Sequence, residues 1–349
     1  MNRAPVSIAE LRRHYATLES YAGIRLVTLG EGTERGVRIL EVRSGGGLEF
    51  EIAIDRGFDI GRLAINGTTI SWHSPNGMRA PWLSDAASDR GQGYLRQASG
   101  FLATCGFDHI RQPETDRLDD APLHPHGEVD YPLHGGGTAQ PARLIGHGID
   151  EAAQEPYIWA EGEVIQAMTF LGALRLRRRI TVPLGGTSFR IQDRVDNVGP
   201  FTSTHMILYH FNVGYPLIDE GSTIDPGRAE QTWQGSKHDP LAPFGPPSPE
   251  HSAELAIFSM GEAPAACRIA NPRGLTLEIG FDPSELPFLQ LLRMGGNGLY
   301  GAGIEPCSTG TRSRKEARQS GQMILLEPGQ ARTYHLDVSL THPFPANGN

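Results

Sequence analysis

Apolar and polar residues alternate with a period of two in many short stretches of this chain, which constrains its fold more than any other feature. Clear examples are residues 48–54, 174–180 and 333–338. Alternation of this kind is typical of strands with one buried face. The 43 glycines and 26 prolines are spread along the chain and predict frequent turns. No helical segments alternate with these strands, so a doubly wound parallel sheet is disfavoured, and we expect an all-β sandwich of large antiparallel sheets.

One helix is predicted, near the N-terminus. Ser7 and Glu10 have the spacing of a capping box, and Ile8, Leu11 and Tyr15 begin an apolar stripe at helical spacing. A helix this short is marginal alone, so we expect it to lie against a larger body. We therefore predict a helical extension over residues 1–29 and a single β domain over residues 30–349.

Composition and charge exclude several classes of protein. The formal net charge is −9, which argues against binding to nucleic acid. No apolar run is long enough to span a membrane, and the N-terminal residues lack the features of a signal peptide, so we expect a cytoplasmic protein. The three cysteines are far apart and predict neither a disulfide framework nor a thiolate zinc site.

Three histidines and one glutamate lie beside glycines or aromatic residues at predicted strand ends. They are His109, His134, His210 and Glu305, and Asn212 follows His210 at the spacing that puts two strand residues on one face. Glycines after His134 would let a ligand approach the backbone. Imidazoles and a carboxylate from distant segments suit acid–base chemistry on a neutral polyol.

Four further charged residues are candidates for substrate binding. Arg56 and Asp59 follow a predicted strand, and Asp282 and Arg293 bracket the strand before Glu305. An arginine there could bind hydroxyl groups or an anionic substituent.

Several of these segments resemble the galactose mutarotase (aldose 1-epimerase) superfamily. They are Leu133-His-Gly-Gly, Tyr209-His-Phe-Asn-Val-Gly214 and Gly303-Ile-Glu-Pro306. Asp55-Arg-Gly-Phe-Asp-Ile-Gly61, Trp72-His-Ser-Pro75 and Gly106-Phe-Asp-His109 are similar to segments of the aldose-1-epimerase-like family DUF4432. The resemblance runs from about residue 30 to residue 340.

The resemblance implies a β-supersandwich with a sugar site in a cleft at one face. It also implies that Glu305 takes a proton from the anomeric hydroxyl while His210 donates one to the ring oxygen. His134 would hydrogen-bond the sugar near that oxygen. The expected partner is a small sugar, no cofactor is required, and a homo-oligomer is allowed because the N-terminal helix could cover the sheet of a second copy.

Two other functions stay open on the sequence. His109, His134, His210 and Glu305 could form a metal site in a sugar isomerase or lyase, since first-row metals favour imidazole with carboxylate. No short His-x-His or His-x-x-x-His spacing among these residues supports that site. A carbohydrate-binding protein that has lost its chemistry is the other alternative.

Overall fold

The computed structural model describes residues 7–117, 127–251, 253–262 and 264–343. Its helices are α1 (Ile8–His14), α2 (Ser88–Gly91) and α3 (Arg314–Gln319). The strands of the first half are β1 (Gly23–Thr28), β2 (Arg38–Arg43), β3 (Leu48–Ala53), β4 (Asp59–Ile65), β5 (Thr68–Thr69), β6 (Leu102–Phe107), β7 (Glu114–Arg117), β8 (Glu128–Tyr131), β9 (Arg143–Asp150) and β10 (Tyr157–Met168). Those of the second half are β11 (Gly172–Pro183), β12 (Ser188–Asn197), β13 (Ser203–Gly214), β14 (Thr223–Asp225), β15 (Ala229–Gln234), β16 (Glu254–Met260), β17 (Ala265–Ala270), β18 (Thr276–Phe281), β19 (Phe288–Gly296), β20 (Leu299–Cys307), β21 (Ile324–Leu326) and β22 (Ala331–Thr341).

Two large antiparallel sheets form the body of the molecule. The first has twelve strands, in the order β1-β2-β3-β4-β6-β13-β20-β19-β16-β15, with β5 on β4 and β21 on β13. The second has eight strands, in the order β14-β17-β18-β22-β12-β11-β10-β9, and β7 and β8 form a separate ribbon. The predicted all-β supersandwich is confirmed.

The main core lies between the two sheets. The rings of Phe50 on β3 and Phe189 on β12 stack across it with centroids 4.9 Å apart. Because neighbouring residues of a strand face opposite ways, Tyr209, Phe211 and Val213 of β13 join this core. Leu208 of β13 joins a second apolar cluster instead. We call the side of the twelve-stranded sheet turned away from the eight-stranded sheet its outer face.

The predicted helix is present but short. Ser7 caps α1 by accepting a hydrogen bond from the backbone N–H of Glu10, and Leu11 packs into the main core. Glu10 itself pairs with His14 instead of reaching back to the cap. β1 follows within the extension and forms an edge of the twelve-stranded sheet, so the boundary at residue 30, which stays a prediction, falls just after this strand.

A buried ion network joins the sheets, and it corrects one prediction. Arg178 of β11 contacts Asp193 at 2.6 Å and Asp59 at 2.8 Å. Asp59 also accepts hydrogen bonds from the backbone and hydroxyl of Thr104 and from the hydroxyl of Thr138. Its carboxylate oxygens are therefore occupied inside the protein, and Asp59 is a structural residue instead of a substrate-binding one.

No helix in the described part of the chain is long and apolar enough to cross a bilayer.

Candidate active site

The register of the central strands brings the candidate catalytic residues into one row. On β13 and β20, Leu208 pairs with Cys307 and Phe211 with Ile304, so His210 lies opposite Glu305. Gln290 of β19 is the partner of Glu305 on its other side. Residues that face each other across an antiparallel pair share a face of the sheet. His210, Glu305 and Gln290 therefore lie side by side on the outer face.

Glu305 is completely buried and held from both sides. Its Oε2 accepts a hydrogen bond of 2.5 Å from Gln290, and its Oε1 lies 3.2 Å from His210 Nε2. Glu305 Oε1 has no hydrogen-bond partner among the described residues, so this close approach is a contact without a hydrogen bond. Burial raises the pKa of Glu305 above its ordinary value, although nearby His210 and the bond from Gln290 oppose the shift. The pair is suited to exchange protons with a ligand.

Arg111 fixes the orientation of Gln290. Its Nε donates to Gln290 Oε1 at 2.7 Å, which turns the amide N–H of Gln290 toward Glu305. Its other nitrogens donate to the backbone carbonyls of Thr309 and Thr311. The guanidinium thus anchors the carboxylate through one intervening amide and ties it to the loop after β20.

His134 reaches the same place from the loop after β8. Its backbone N–H donates to Arg111 O, and its carbonyl accepts from Gly106, next to the end of β6. Gly135 follows His134 and has a positive φ. A Cβ on Gly135 would lie 2.5 Å from the carbonyl oxygen of Gly106, so glycine is required at this position. The His134 and His210 rings lie 5.7 Å apart, edge to face.

The proton of His134 can be placed from its contacts. The backbone N–H of Arg111 donates to His134 Nδ1 at 3.3 Å, so we assign the ring proton to Nε2, which leaves Nε2–H as a donor. Burial lowers the pKa of His134 well below its ordinary value, and His210 and Arg111 add to the shift. His134 is therefore neutral near pH 7 and can donate a hydrogen bond to a ligand.

Gly303 leaves the space in which Glu305 and His210 meet. A Cβ at this position would lie 2.7 Å from Glu305 Oε1 and 2.9 Å from His210 Cε1. Any larger side chain would separate the acid from the imidazole.

His109 and Asn212 lie close to this row. The Asn212 amide donates to the carbonyls of Gly100 and His210, both at 3.2 Å. His109 Nε2 lies 2.8 Å from the carbonyl of Gln112, and burial lowers the His109 pKa to about 4. Both side chains therefore contact backbone carbonyls, and their role in substrate binding stays a prediction.

The structure does not bring Asp282 or Arg293 to this site, which corrects both predictions. Asp282 accepts a bond from the backbone of Ser284 in the turn after β18, a strand of the other sheet. Arg293 is three residues from Gln290 along β19 and so faces the opposite way. It donates to the carbonyls of Pro240 and Ala242 and holds that loop in place.

Gln290, Arg111, Tyr94 and Gln97 are site residues that sequence reasoning missed. The Tyr94 ring lies 4.9 Å from that of His134, and the backbone N–H of Gln97 donates to Tyr94 O. Gln290 could have been found only from the strand register. Arg111 lies two residues after His109, a weak signal.

Polar atoms without a hydrogen-bond partner are concentrated here. Among the described residues, six buried side-chain atoms without a hydrogen-bond partner belong to Arg56, Gln97, His109, His210 and Glu305. Burial lowers the pKa of Arg56, and the negative charge of Asp59 opposes the shift. Since buried polar groups are normally paired, this concentration indicates a site that binds a polar ligand or ordered water.

The exposed surface of this row belongs to its histidines. Glu305 has no exposed surface, whereas His210 and His134 retain 6% and 8% of theirs. The carboxylate is therefore shielded from solvent, and the two histidines lie nearer the surface.

Among the described residues, no group of three or more histidine, cysteine or acidic side chains is arranged to hold a metal ion.

Several solved structures have a fold similar to that of this protein. The Klebsiella pneumoniae structure named a "putative aldose 1-epimerase" is similar, with a TM-score of 0.80 at 20% identity over 91% of this chain and 83% of that one. A galactose mutarotase-like protein from Clostridium acetobutylicum gives 0.64 at 14% identity, with 93% and 99% coverage. A galactose 1-epimerase from Lactobacillus acidophilus gives 0.56 at 12%, with 91% and 98% coverage.

A search of the curated proteins finds no match. The family model described as a domain of unknown function, DUF4432, matches residues 34–340, which is most of the chain. The match agrees with the family resemblance of the sequence segments and with the galactose mutarotase-like fold of the two sheets. This protein therefore belongs to the DUF4432 family.

Proposed function

We propose that this protein interconverts the anomers of a cyclic aldose by acid–base ring opening. The observation that carries the proposal is the contact of 3.2 Å between Glu305 Oε1 and His210 Nε2 in a buried polar site. The anomeric and ring oxygens of an aldose are bonded to the same carbon. A base for one oxygen and an acid for the other must therefore lie close together, as these side chains do.

In the proposed reaction, Glu305 takes the proton of the anomeric hydroxyl while His210 gives a proton to the ring oxygen. The bond between C1 and the ring oxygen breaks and an open-chain aldehyde forms. After rotation about C1–C2, the hydroxyl attacks the other face of the aldehyde, its proton returns to His210, and Glu305 protonates the new anomeric oxygen. Both side chains end in their starting states.

The other residues orient these two. Arg111 and Gln290 hold the Glu305 carboxylate, and the Nε2–H of His134 is a donor for a sugar oxygen. Positioned acids and bases each contribute ~10²–10⁴-fold to a rate. Side chains thus suffice for a reaction that already proceeds slowly in water.

The test is proton NMR saturation exchange between anomers, measured with a panel of neutral and anionic aldoses. We expect micromolar protein to accelerate exchange for at least one sugar, and treatment with a chelator to leave the rate unchanged. Loss of activity on chelation, with recovery on adding a metal ion, would favour the metal-dependent alternative. Sugar binding with no acceleration for any panel member would favour the binding protein.

The pH dependence follows from the buried carboxylate. Glu305 must be ionised to act as the base, and burial raises its pKa above the ordinary value of 4.5. Activity therefore rises with pH, and we expect the acid limb of kcat/KM to lie above pH 4.5. A limb at or below pH 4.5 in the measured profile would contradict this role for Glu305.

Gly303→Ala is expected to lower kcat while the protein stays folded. The added methyl group would push Glu305 and His210 apart, and misplacing a reacting group by an ångström can cost ~10²-fold. Gly30→Ala is the matched control, because a Cβ at residue 30 meets nothing within 4 Å. Equal rates for the two variants would show that this contact distance is unimportant.

A further inference from the structure

Arg56 carries a buried charge with no carboxylate against it. The residue is 2% exposed, and its two terminal nitrogens donate to the carbonyl of Gln97 at 2.5 Å and to the sulfur of Met78 at 3.3 Å. Its Nε has no partner, and no acidic side chain of the described residues lies within ion-pair distance. Asp59 is nearby, but its oxygens are occupied by Arg178 and two threonines. A buried charge is normally paired, so the Arg56 guanidinium is expected to bind an anion from outside the chain.

Gln97, next to Arg56, has an unused amide. The residue is 1% exposed, and neither its Oε1 nor its Nε2 has a partner in the described residues. An unpaired buried amide is costly, so a group outside the chain is expected to satisfy it. Arg56 Nε and Gln97 Nε2 are therefore unused N–H donors, and Gln97 Oε1 is an unused acceptor.

The first chain of contacts between Arg56 and the imidazoles runs through the loop before β6. Arg56 donates to Gln97 O, and Gln97 N–H donates to Tyr94 O. The ring of Tyr94 packs on His134, which packs on His210.

The second chain of contacts runs through a different segment. Arg56 contacts Met78, whose sulfur lies against Gly100, where an added Cβ would be 3.1 Å away. The carbonyl of Gly100 accepts from Asn212, two residues along the strand from His210. Arg56 and the imidazoles therefore lie on one closed ring of contacts. The unpartnered atoms belong to residues of that ring: Arg56, Gln97 and His210.

We propose that Arg56 and Gln97 bind an anionic substituent of the sugar, a carboxylate, sulfonate or phosphate group, while Glu305 and His210 act on its anomeric centre. This inference rests on the proposed function and narrows its substrate to acidic sugars. The anion supplies acceptors for Arg56 Nε–H and the Gln97 amide N–H. The side-chain Oε1 of Gln97 accepts a hydrogen bond from a neighbouring hydroxyl of the sugar.

The experiment compares matched sugars that differ only at C6: glucose with glucuronate, glucose 6-sulfonate and glucose 6-phosphate, and galactose with galacturonate. Because hydrogen bonds to a charged group are stronger than neutral ones, we expect kcat/KM for an acidic member to exceed that of its neutral partner by about 10- to 100-fold. The three acidic arms distinguish carboxylate from sulfonate and phosphate. Arg56→Gln is expected to abolish the preference, and Arg56→Lys to keep part of it, which guards against misfolding of the first variant.

Binding by calorimetry in Glu305→Gln separates this inference from the proposed function. Acidic sugars that bind this variant but not Arg56→Gln/Glu305→Gln support the anion site even if no sugar is turned over. Equal kcat/KM for neutral and acidic partners, or a preference that survives Arg56→Gln, overturns the anion site and leaves the proposed function standing. Absence of both turnover and acidic-sugar binding overturns both.

Discussion

Glu305→Gln is expected to lower kcat for anomer exchange by ~10²–10⁴-fold, because an amide cannot take the proton of the anomeric hydroxyl. The substitution keeps the size of the side chain and removes a buried charge, so the folded structure should persist. Rates come from saturation-exchange NMR after subtraction of the spontaneous reaction. The thermal midpoint of each variant confirms that it is folded.

Glu254→Gln is the matched control for this variant. Glu254 is a buried glutamate on β16 that contacts His238 at 2.9 Å, away from the outer-face row. The same chemical change there is expected to leave kcat within about twofold of the parent, since the residue supplies no proton to the reaction. A Glu305→Gln enzyme as active as this control would exclude Glu305 as the base.

Arg178→Met is expected to cause the largest loss of stability. Arg178 is fully buried, and removing it leaves the carboxylates of Asp59 and Asp193 without their cation between the sheets. Breaking a buried ion pair by removing one partner costs about 3–5 kcal/mol. The free energy of unfolding from urea titration measures this loss.

The control for Arg178 is Arg190→Met, on the neighbouring strand. Arg190 contacts Asp337 at 2.7 Å, but both side chains are more than half exposed, so a loss of about 0–1 kcal/mol is expected. Burial already raises the pKa of Asp59 in the parent and Arg178 opposes that shift, so in Arg178→Met the pKa of Asp59 rises further in the folded state. A raised pKa for an acid destabilises the fold as pH increases, so the deficit should be larger at pH 8 than at pH 5. A deficit independent of pH would mean that lost packing, not stranded charge, is responsible.

Much of the fold was predictable because strand signals are local. The turn of Asn66 and Gly67, both with positive φ, joins β4 and β5 as the Asn-Gly pair indicates. β6 lacks a local signal of this kind. All six residues of β6 are buried, so both its faces are covered and no alternation marks it.

The catalytic candidates of the site were predictable from the sequence, but the residues that hold them in place were not. The resemblance identified His134, His210 and Glu305, and the structure brings them together. It did not identify Gln290 or Arg111, whose roles come from pairing between β19 and β20 and from a loop contact. Arg293 is close to Gln290 along the chain, yet it faces away, because parity along a strand decides which face a side chain takes.

The sequence by itself determined many of the strands, where the helix begins and which residues can move protons, since alternation, capping and side-chain chemistry are properties of a few consecutive residues. Only the tertiary structure decided that β6, β13, β20 and β19 are neighbours, and that His210 therefore lies opposite Glu305. Those strands are distant in the chain, and their register is set by burial of the two sheets against each other, which no local pattern encodes.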